Sequence, residues 1–303
     1  MIDGLKGQAI VITGISSGIG IETARALAAT GANLFLTARN VSKARSALAD
    51  FYDPQRMDIV EIDQADLSSV RQAASAILAK TSKVHLLVNN AGIMAIPDLR
   101  FTSDGHELQF GSNHLAHFLL FKLLEPALLA AASETLPSRV VVLSSSGHNI
   151  HGLNGRDNYN FQQNDYDPFT AYGQSKTANI YMSNEIERRF GSRHLHSTSI
   201  HPGIISTGLA QHMPPDAFKG MEHLYPVMKS VEQGAATTVL AAVGRCWKHQ
   251  GGKYLVDCDV APPHTDKDDA FTSPGYAQYA YDEGKATRLW EDSLALVGLS
   301  GKE

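Results

Sequence analysis

The apolar run Ala9-Ile10-Val11-Ile12-Thr13, followed directly by Gly14-Ile15-Ser16-Ser17-Gly18-Ile19-Gly20, decides the fold of this chain. The run predicts a buried strand, and residues 18 to 30 predict a helix. Between them, three glycines allow a sharp turn and the close approach of a ligand to the backbone. Because N–H groups at a helix start attract negative charge, the turn predicts a pyrophosphate site, although the glycine pattern alone is as typical of a structural turn.

Short apolar runs alternate with helical patterns along the rest of the chain. Further strands are predicted at residues 33–37, 58–62, 85–89, 140–143, 197–201 and 254–256, with helices at 42–50 and 68–80. The strands lack polar alternation, which indicates helices on both faces. We expect an α/β fold, a Rossmann-type doubly wound parallel sheet of about seven strands with helices on both faces, in a single domain over residues 1–303.

Composition excludes several classes of protein. The 303 residues carry a formal net charge of -5 without a basic run, which argues against nucleic-acid or anionic-membrane partners. Cys246 and Cys258 are too few for a disulfide framework. A lysine, a glutamate and a proline interrupt the most apolar segment, residues 114–132, which predicts a buried helix. We expect a cytoplasmic protein without a membrane anchor.

The end of the second strand indicates which dinucleotide is bound. Ala38 occupies the position where an acid would bind a ribose 2′-hydroxyl, and Arg39 follows it. A guanidinium matches a 2′-phosphate, so NADP(H) is preferred over NAD(H), unless Arg39 is a solvated loop residue. After the third strand, Asp66 is a candidate for the adenine, but it could equally cap the helix that starts at Ser68.

A tyrosine and a lysine four residues apart predict a proton-transfer site. Tyr172 and Lys176 share a helix face, and the fifth strand ends in Ser144-Ser145-Ser146. A free tyrosine has a pKa of about 10, which we expect the nearby ammonium to lower. Tyr172 could then exchange the substrate proton while Ser145 orients the substrate oxygen. Spacing alone leaves Ser144 as a rival to Ser145.

Two further groups of polar residues need an interpretation. Asn90, Ala91 and Gly92 close the fourth strand and either line the cofactor pocket or form a turn. Asn113 lies within a helix, where an amide is either functional or a satisfied buried group. His114 and His117 lack a third ligand nearby, so we expect packing roles and no metal site.

Together these residues resemble the short-chain dehydrogenase/reductase family over nearly the whole chain. The resemblance rests on six ordered motifs, which are Thr13-Gly14-x-x-x-Gly18-Ile19-Gly20, Asp66-Leu67, Asn89-Asn90-Ala91-Gly92, Asn113, the set Ser145 with Tyr172-x-x-x-Lys176, and Pro202-Gly203-x-x-x-Thr207. It implies Ser145, Tyr172, Lys176 and Asn113 as catalytic residues, with Asn113 holding a water in a proton relay.

The same resemblance implies a dinucleotide pocket and an assembly. Its expected cofactor contacts are Gly14, Ser16, Ser17, Gly18, Ile19, Gly20, Arg39, Asp66, Leu67, Asn90, Ala91, Gly92, Tyr172, Lys176, Pro202, Gly203, Ile205 and Thr207. Family members pair through the helices that hold Asn113 and Tyr172, which implies a homodimer or homotetramer.

Within the family, the chain is similar to the retinol-dehydrogenase and WW-domain-oxidoreductase branch. The similarity rests on Asn113-His114-Leu115-x-His117-Phe118 and Leu289-Trp290-Glu291-x-Ser293. Residues 147–170 and 204–230 are expected substrate lids, and the apolar second lid fits a small apolar alcohol or ketone, as in polyketide or terpenoid tailoring. The alternatives are a non-redox epimerase, dehydratase or isomerase, and a cofactor-sensing binding protein.

Overall fold

The computed structural model describes residues 4–213, 222–265 and 267–299, and its central element is one mostly parallel sheet. The strands are β1 (Ala9–Thr13), β2 (Asn33–Ala38), β3 (Met57–Glu61), β4 (Leu86–Asn89), β5 (Ser138–Leu143), β6 (Leu195–His201), β7 (Ile204–Ile205), β8 (Met228–Lys229), β9 (Tyr254–Val256) and β10 (Asp259–Val260). Eight of them form the sheet in the order β10-β9-β6-β5-β4-β1-β2-β3, while β7 and β8 pair separately.

All seven predicted strands are present in the sheet. The eighth, β10, pairs antiparallel with β9 at the edge and is too short to show a pattern in the sequence. The strand order reverses between β1 and β4, because β2 and β3 extend to one side and β4, β5 and β6 to the other. Such a switch point leaves a crevice outside the carboxyl ends of the strands, where ligands bind in open α/β sheets.

Helices pack on both faces of the sheet. They are α1 (Ile19–Ala28), α2 (Val41–Ala47), α3 (Leu67–Leu78), α4 (Leu108–Phe110), α5 (Ala116–Ala131), α6 (Pro168–Phe190), α7 (Val231–Val243) and α8 (Glu283–Leu296), with a π-helical turn between α4 and α5 at Gly111–Leu115. Ile10 of β1 packs in one core with Leu27 of α1, whereas its neighbour Val11 packs in the other core with Val70 of α3. The predicted doubly wound fold is confirmed.

The continuous helical run Leu108–Ala131 is long and apolar enough to cross a membrane by length and composition. About two-thirds of its most apolar part is buried inside the protein, however. Buried core helices of soluble proteins meet the same criteria of length and composition, so the run is only weak evidence for a membrane span.

The C-terminal helix α8 packs against α5 and against the C-terminal end of α6. The Trp290 ring lies 4.9 Å from that of Phe118, 6.0 Å from that of Phe121 and 6.3 Å from that of Phe190, between ring centroids. On α6, every residue from 171 to 183 is buried within one chain. Part of the surface through which pairing is expected, on the helices holding Asn113 and Tyr172, is therefore covered by α8.

Candidate active site

In the glycine turn after β1, the positions of Gly14 and Gly20 leave no room for a side chain. Gly14 has a φ of +75°, and a Cβ placed there would lie 2.7 Å from the Cα of Ala91. A Cβ on Gly20 would lie 2.3 Å from the carbonyl oxygen of Gly14. Gly18, with a φ of +62°, precedes α1 without providing a side-chain cap. No side chain of the capping residue therefore competes with an anion at the start of α1.

A threonine joins the glycine turn to the end of β4. The hydroxyl oxygen of Thr13 accepts hydrogen bonds of 2.9 Å from both the Asn90 and the Ala91 backbone N–H groups. The Asn90 side chain in turn donates to the backbone oxygens of Thr13, at 2.7 Å, and Gly14, at 3.1 Å. Asn90 therefore shapes the turn, one of the two roles that the sequence leaves open.

The loop after β6 reaches the glycine turn from the other side. A Cβ on Gly18 would lie 3.2 Å from the methyl group of Thr207. Ile19 and Ile205 both approach Gly234 of α7, where a Cβ would lie 2.8 Å and 2.6 Å from them. These contacts bring the Pro202–Thr207 segment and the turn together at one edge of the sheet.

Three candidate residues for the adenosine end of a dinucleotide fall into two groups. Arg39 is exposed, and within the described ranges its guanidinium makes no hydrogen bond or ion pair. Asp66, in contrast, caps α3 by accepting from the Ser68 N–H at 2.8 Å. The Leu67 side chain is buried in the core, and its N–H donates to Asp104 at 2.9 Å.

Ser145, rather than Ser144, faces the tyrosine. The Ser145 side chain is close enough to the Tyr172 hydroxyl to favour a lower pKa of that phenol, and it accepts from the Gly147 N–H at 3.1 Å. The Ser144 hydroxyl is buried and donates to the carbonyl oxygen of Lys176 at 2.8 Å, so it braces the helix. The geometry therefore favours Ser145 over its rival as the residue that contacts a substrate oxygen.

Tyr172 and Lys176 are adjacent and almost fully buried, each about 4% exposed. The ammonium nitrogen of Lys176 lies 5.4 Å from the centroid of the tyrosine ring and donates to the Leu143 carbonyl at 3.3 Å. Burial raises the pKa of Tyr172 to about 12, outweighing the opposite effect of Ser145. Burial also lowers the pKa of Lys176 to about 8.

The expectation of a lowered tyrosine pKa is thus wrong. The physical reason is that removing water penalises the phenolate of Tyr172 and the ammonium of Lys176 together. At neutral pH the site holds a neutral phenol, which is able to donate a proton.

Asn113 ties the end of β4 to the helix of Tyr172. Its amide accepts from the Ile93 N–H and donates to the Ile93 carbonyl, both at 2.9 Å. The same amide donates to the Ser175 hydroxyl at 2.9 Å, and that hydroxyl donates to the Tyr172 carbonyl at 2.8 Å. Both amide hydrogens and one lone pair of the amide oxygen are therefore used, which fixes this side chain within the π-helical turn.

Three histidines hold the framework of the site by hydrogen bonds, a role that sequence reasoning does not assign to them. His148 is within hydrogen-bond distance of the Ser145 carbonyl, at 2.6 Å, and accepts from a backbone N–H at 3.2 Å. His201 accepts from the Ser146 N–H at 3.2 Å. His117 contacts both Thr13 and the Asn113 carbonyl at 2.9 Å. Only their closeness in sequence to the candidate residues could have indicated these roles.

No cluster of three or more histidine, cysteine, aspartate or glutamate residues suited to a metal occurs in the described part of the chain. His114, three residues before His117, contacts the Ser293 hydroxyl at 2.9 Å instead. Both histidines are buried, and burial lowers the pKa of His114 to about 3 and that of His117 to about 4. They are neutral hydrogen-bonding groups in the core.

The two expected lids border this edge of the sheet. In the first, Tyr159 donates to Asp292 of α8 at 2.8 Å, which anchors the segment to the fold. In the second, β7 and β8 pair through Ile204 and Met228, and residues 214–221 lie outside the described residues.

Comparisons with known proteins agree with this geometry. The sequence model for short chain dehydrogenases matches residues 8–217. A curated relative, the short-chain dehydrogenase/reductase prx1 of Penicillium roqueforti, is 44% identical over 99% of this chain and 87% of its own length. Human retinol dehydrogenase 11 is 34% identical over 97% of this chain and 87% of its own length. The chain belongs to the short-chain dehydrogenase/reductase family, in its retinol-dehydrogenase-like branch.

Solved structures show the same architecture. An uncharacterised protein of Mycobacterium paratuberculosis matches with a TM-score of 0.74 and 31% identity, over 98% of this chain and 96% of that chain. A blue fluorescent protein from a metagenomic library, in complex with NADPH, matches with a TM-score of 0.64 and 26% identity, over 83% of this chain and 96% of that one. The family and these neighbours support an oxidoreductase with a nicotinamide cofactor.

Proposed function

We propose that the protein is an NADP(H)-dependent oxidoreductase that interconverts a lipophilic ketone and its alcohol. The observation that carries this proposal is the buried Tyr172 side chain, which lies beside Ser145 and Lys176 at the edge where the glycine turn lies. A neutral proton donor, an orienting hydroxyl and an anion site at one sheet edge are the parts that carbonyl reduction requires.

The residues fit a dinucleotide, because the cradle at Gly14 and Gly20 excludes a Cβ and α1 starts without a side-chain cap. A bound nicotinamide supplies the hydride. Ser145 orients the substrate carbonyl, and Tyr172 transfers its proton to the substrate oxygen as the carbon is reduced. With a pKa of about 8, Lys176 is mostly charged at pH 7 and stabilises the resulting phenolate until the proton is replaced.

The preference for NADP(H) rests on Arg39. This guanidinium is exposed immediately after β2, with Ala38 where an acid would disfavour a 2′-phosphate. The absence of a hydrogen bond or ion pair within the described residues leaves all its donors available to a phosphate. The NADPH complex of the metagenomic neighbour is consistent with this preference.

The proposed substrate is a polyketide-like or terpenoid-like alcohol or ketone. Both lid segments expose apolar side chains, Ile150 in the first and Tyr225 and Val227 in the second. A relative at 34% identity is named for retinol, a lipophilic terpenoid alcohol. Exposed apolar surface beside a catalytic crevice favours a substrate of similar polarity.

The test is nicotinamide absorbance with NADPH and a panel of apolar ketones. We expect turnover with at least one ketone, and a fall in kcat of about 10²-fold or more in Tyr172→Phe. Product formation without net oxidation of NADPH would instead identify an epimerase, dehydratase or isomerase. Dinucleotide binding without any product would identify a binding protein.

Cofactor choice is tested separately with Arg39→Ala. The Kd for NADPH should rise about tenfold while that for NADH stays unchanged, since only NADPH carries the 2′-phosphate. Arg45→Ala is the matched control, because this guanidinium lies over the ring of Tyr52, in the loop after α2. An equal loss of both dinucleotides in Arg39→Ala would remove the argument for NADP(H).

A further inference from the structure

His117 is a fully buried side chain of α5 that connects the glycine turn to the π-helical turn before α5. One ring nitrogen, Nε2, lies 2.9 Å from the hydroxyl oxygen of Thr13. The other, Nδ1, lies 2.9 Å from the carbonyl oxygen of Asn113. A carbonyl only accepts, so Nδ1 carries the hydrogen and the neutral Nε2 accepts from Thr13.

The Thr13 hydroxyl is fully used by this arrangement. Its oxygen accepts from the Asn90 and Ala91 N–H groups, and its hydrogen points to His117. The other acceptor within reach, the Val88 carbonyl, is 3.5 Å away and makes a much weaker partner. His117 is therefore the acceptor that fixes the orientation of the Thr13 hydroxyl.

These bonds close a ring around the segment that follows β4. Thr13 holds the start of the segment at Asn90 and Ala91, and the Asn113 amide holds its end at Ile93. His117 joins Thr13 to Asn113 and completes the ring. Inside it lies Gly92, where a Cβ would be 3.4 Å from the Lys176 ammonium nitrogen.

We propose that His117 is a positioning residue, which sets segment 90–93 against Lys176 by joining Thr13 to Asn113. This inference rests on the proposed function, because the segment and Lys176 would together border the bound dinucleotide. Without His117, the Thr13 hydroxyl and the Asn113 carbonyl each lose a buried partner, and the segment is held at its two ends by groups that can move independently.

Amide hydrogen exchange in the unliganded protein tests the ring directly. His117→Phe retains an aromatic ring but removes both bonds, so exchange in peptides covering residues 90–93 should accelerate about tenfold. His114→Phe is the matched control, because His114 is equally buried on the adjoining turn and contacts Ser293, away from the ring. In His114→Phe, amide exchange in residues 90–93 should match that of the wild type.

Function provides the second measurement. We expect His117→Phe to raise the Kd for NADPH and to lower kcat, each about tenfold, and His117→Gln to recover part of both, because its amide oxygen can still accept from Thr13. Unchanged exchange in residues 90–93, or equal effects in His117→Phe and His114→Phe, would overturn the proposal. A wild type that binds no dinucleotide would defeat the proposed function, yet the exchange result would still decide whether the ring holds the segment.

Discussion

The ring of Tyr172 lies directly against the backbone of Gly147. A Cβ on Gly147 would be 2.8 Å from Cε1 and 2.9 Å from Cδ1 of the tyrosine, closer than carbon atoms pack. The same Cβ would lie 3.5 Å from the Ser145 hydroxyl oxygen. Glycine at this position thus sets how deeply the phenol enters the site and where it meets Ser145.

We therefore expect Gly147→Ala to lower kcat about 10²-fold, because a methyl group there displaces the reacting hydroxyl by a fraction of an ångström or more. The Kd for NADPH should change by less than about threefold, since the glycine turn is not in contact with the new methyl group. Gly155→Ala is the matched control, because a Cβ on Gly155 meets no atom within 4 Å. Retention of kcat by Gly147→Ala at wild-type melting temperature would contradict the packing argument.

Lys176 is a buried cation that should decrease stability at neutral pH. Its pKa falls from 10.5 to about 8 in the folded protein, which corresponds to roughly 3 kcal/mol. We expect Lys176→Met to abolish turnover and to raise the free energy of unfolding at pH 7, by less than this amount because the Leu143 carbonyl loses a donor. Chemical denaturation measures the difference.

The lowered pKa of Lys176 also predicts how the stability difference between the wild type and Lys176→Met changes with pH. Between pH 8 and pH 10.5 the unfolded wild type binds more protons than the folded protein, so wild-type stability rises with pH across this window. The advantage of Lys176→Met should shrink accordingly. Lys122→Met is the control, because it also replaces a lysine by methionine but at a side chain that pairs with Glu125 at 2.5 Å. A stability difference that is constant from pH 7 to pH 10 would contradict the assignment.

Much of the fold could be predicted because it depends on local patterns. The predicted limits of β1 and β9 agree with the observed limits residue for residue, since continuous apolar runs bounded by turns define buried strands. The structure also brings Ser145, Tyr172 and Lys176 together, because strand ends and a helix face fix their positions. Spacing along the chain is enough for relationships of this kind.

The rest depends on contacts between distant segments. The pKa of Tyr172 follows from how much water the packed site excludes, which no spacing reveals. Trp290 packs against Phe118 although the two are far apart in the sequence. No local pattern around α5 or α6 therefore indicates that α8 covers them. For the same reason the sequence does not predict the link from Thr13 through His117 to Asn113, in which both histidine bonds are 2.9 Å long.

The position of α8 leads to a prediction about assembly that differs from the family expectation. Because Trp290 and its helix occupy the outer side of α5 and α6, little apolar surface remains there for a second subunit. Light scattering should give the mass of one chain, 32.7 kDa. A stable dimer in which peptides of α5 and α6 become protected from exchange on association would show that α8 moves aside.

Glu107 should make the protein less stable as the pH rises through neutrality. This fully buried carboxylate caps α4, accepting from the N–H groups of Gln109 at 2.9 Å and Phe110 at 2.6 Å. Burial outweighs both bonds and raises its pKa from 4.5 to about 7. The folded protein therefore binds more protons than the unfolded chain between these values, and stability is lost as the pH rises across them.

The free energy of unfolding of the wild type should therefore fall by up to roughly 3 kcal/mol between pH 5 and pH 8. Glu107→Gln should not show this fall. The glutamine is neutral throughout and still accepts from one of the two N–H groups. Urea unfolding of both proteins at pH 5 and pH 8 measures the effect, and the variant should gain on the wild type at the higher pH. If the two proteins change in parallel, the carboxyl of Glu107 is already ionised at pH 5, and its burial does not control its protonation.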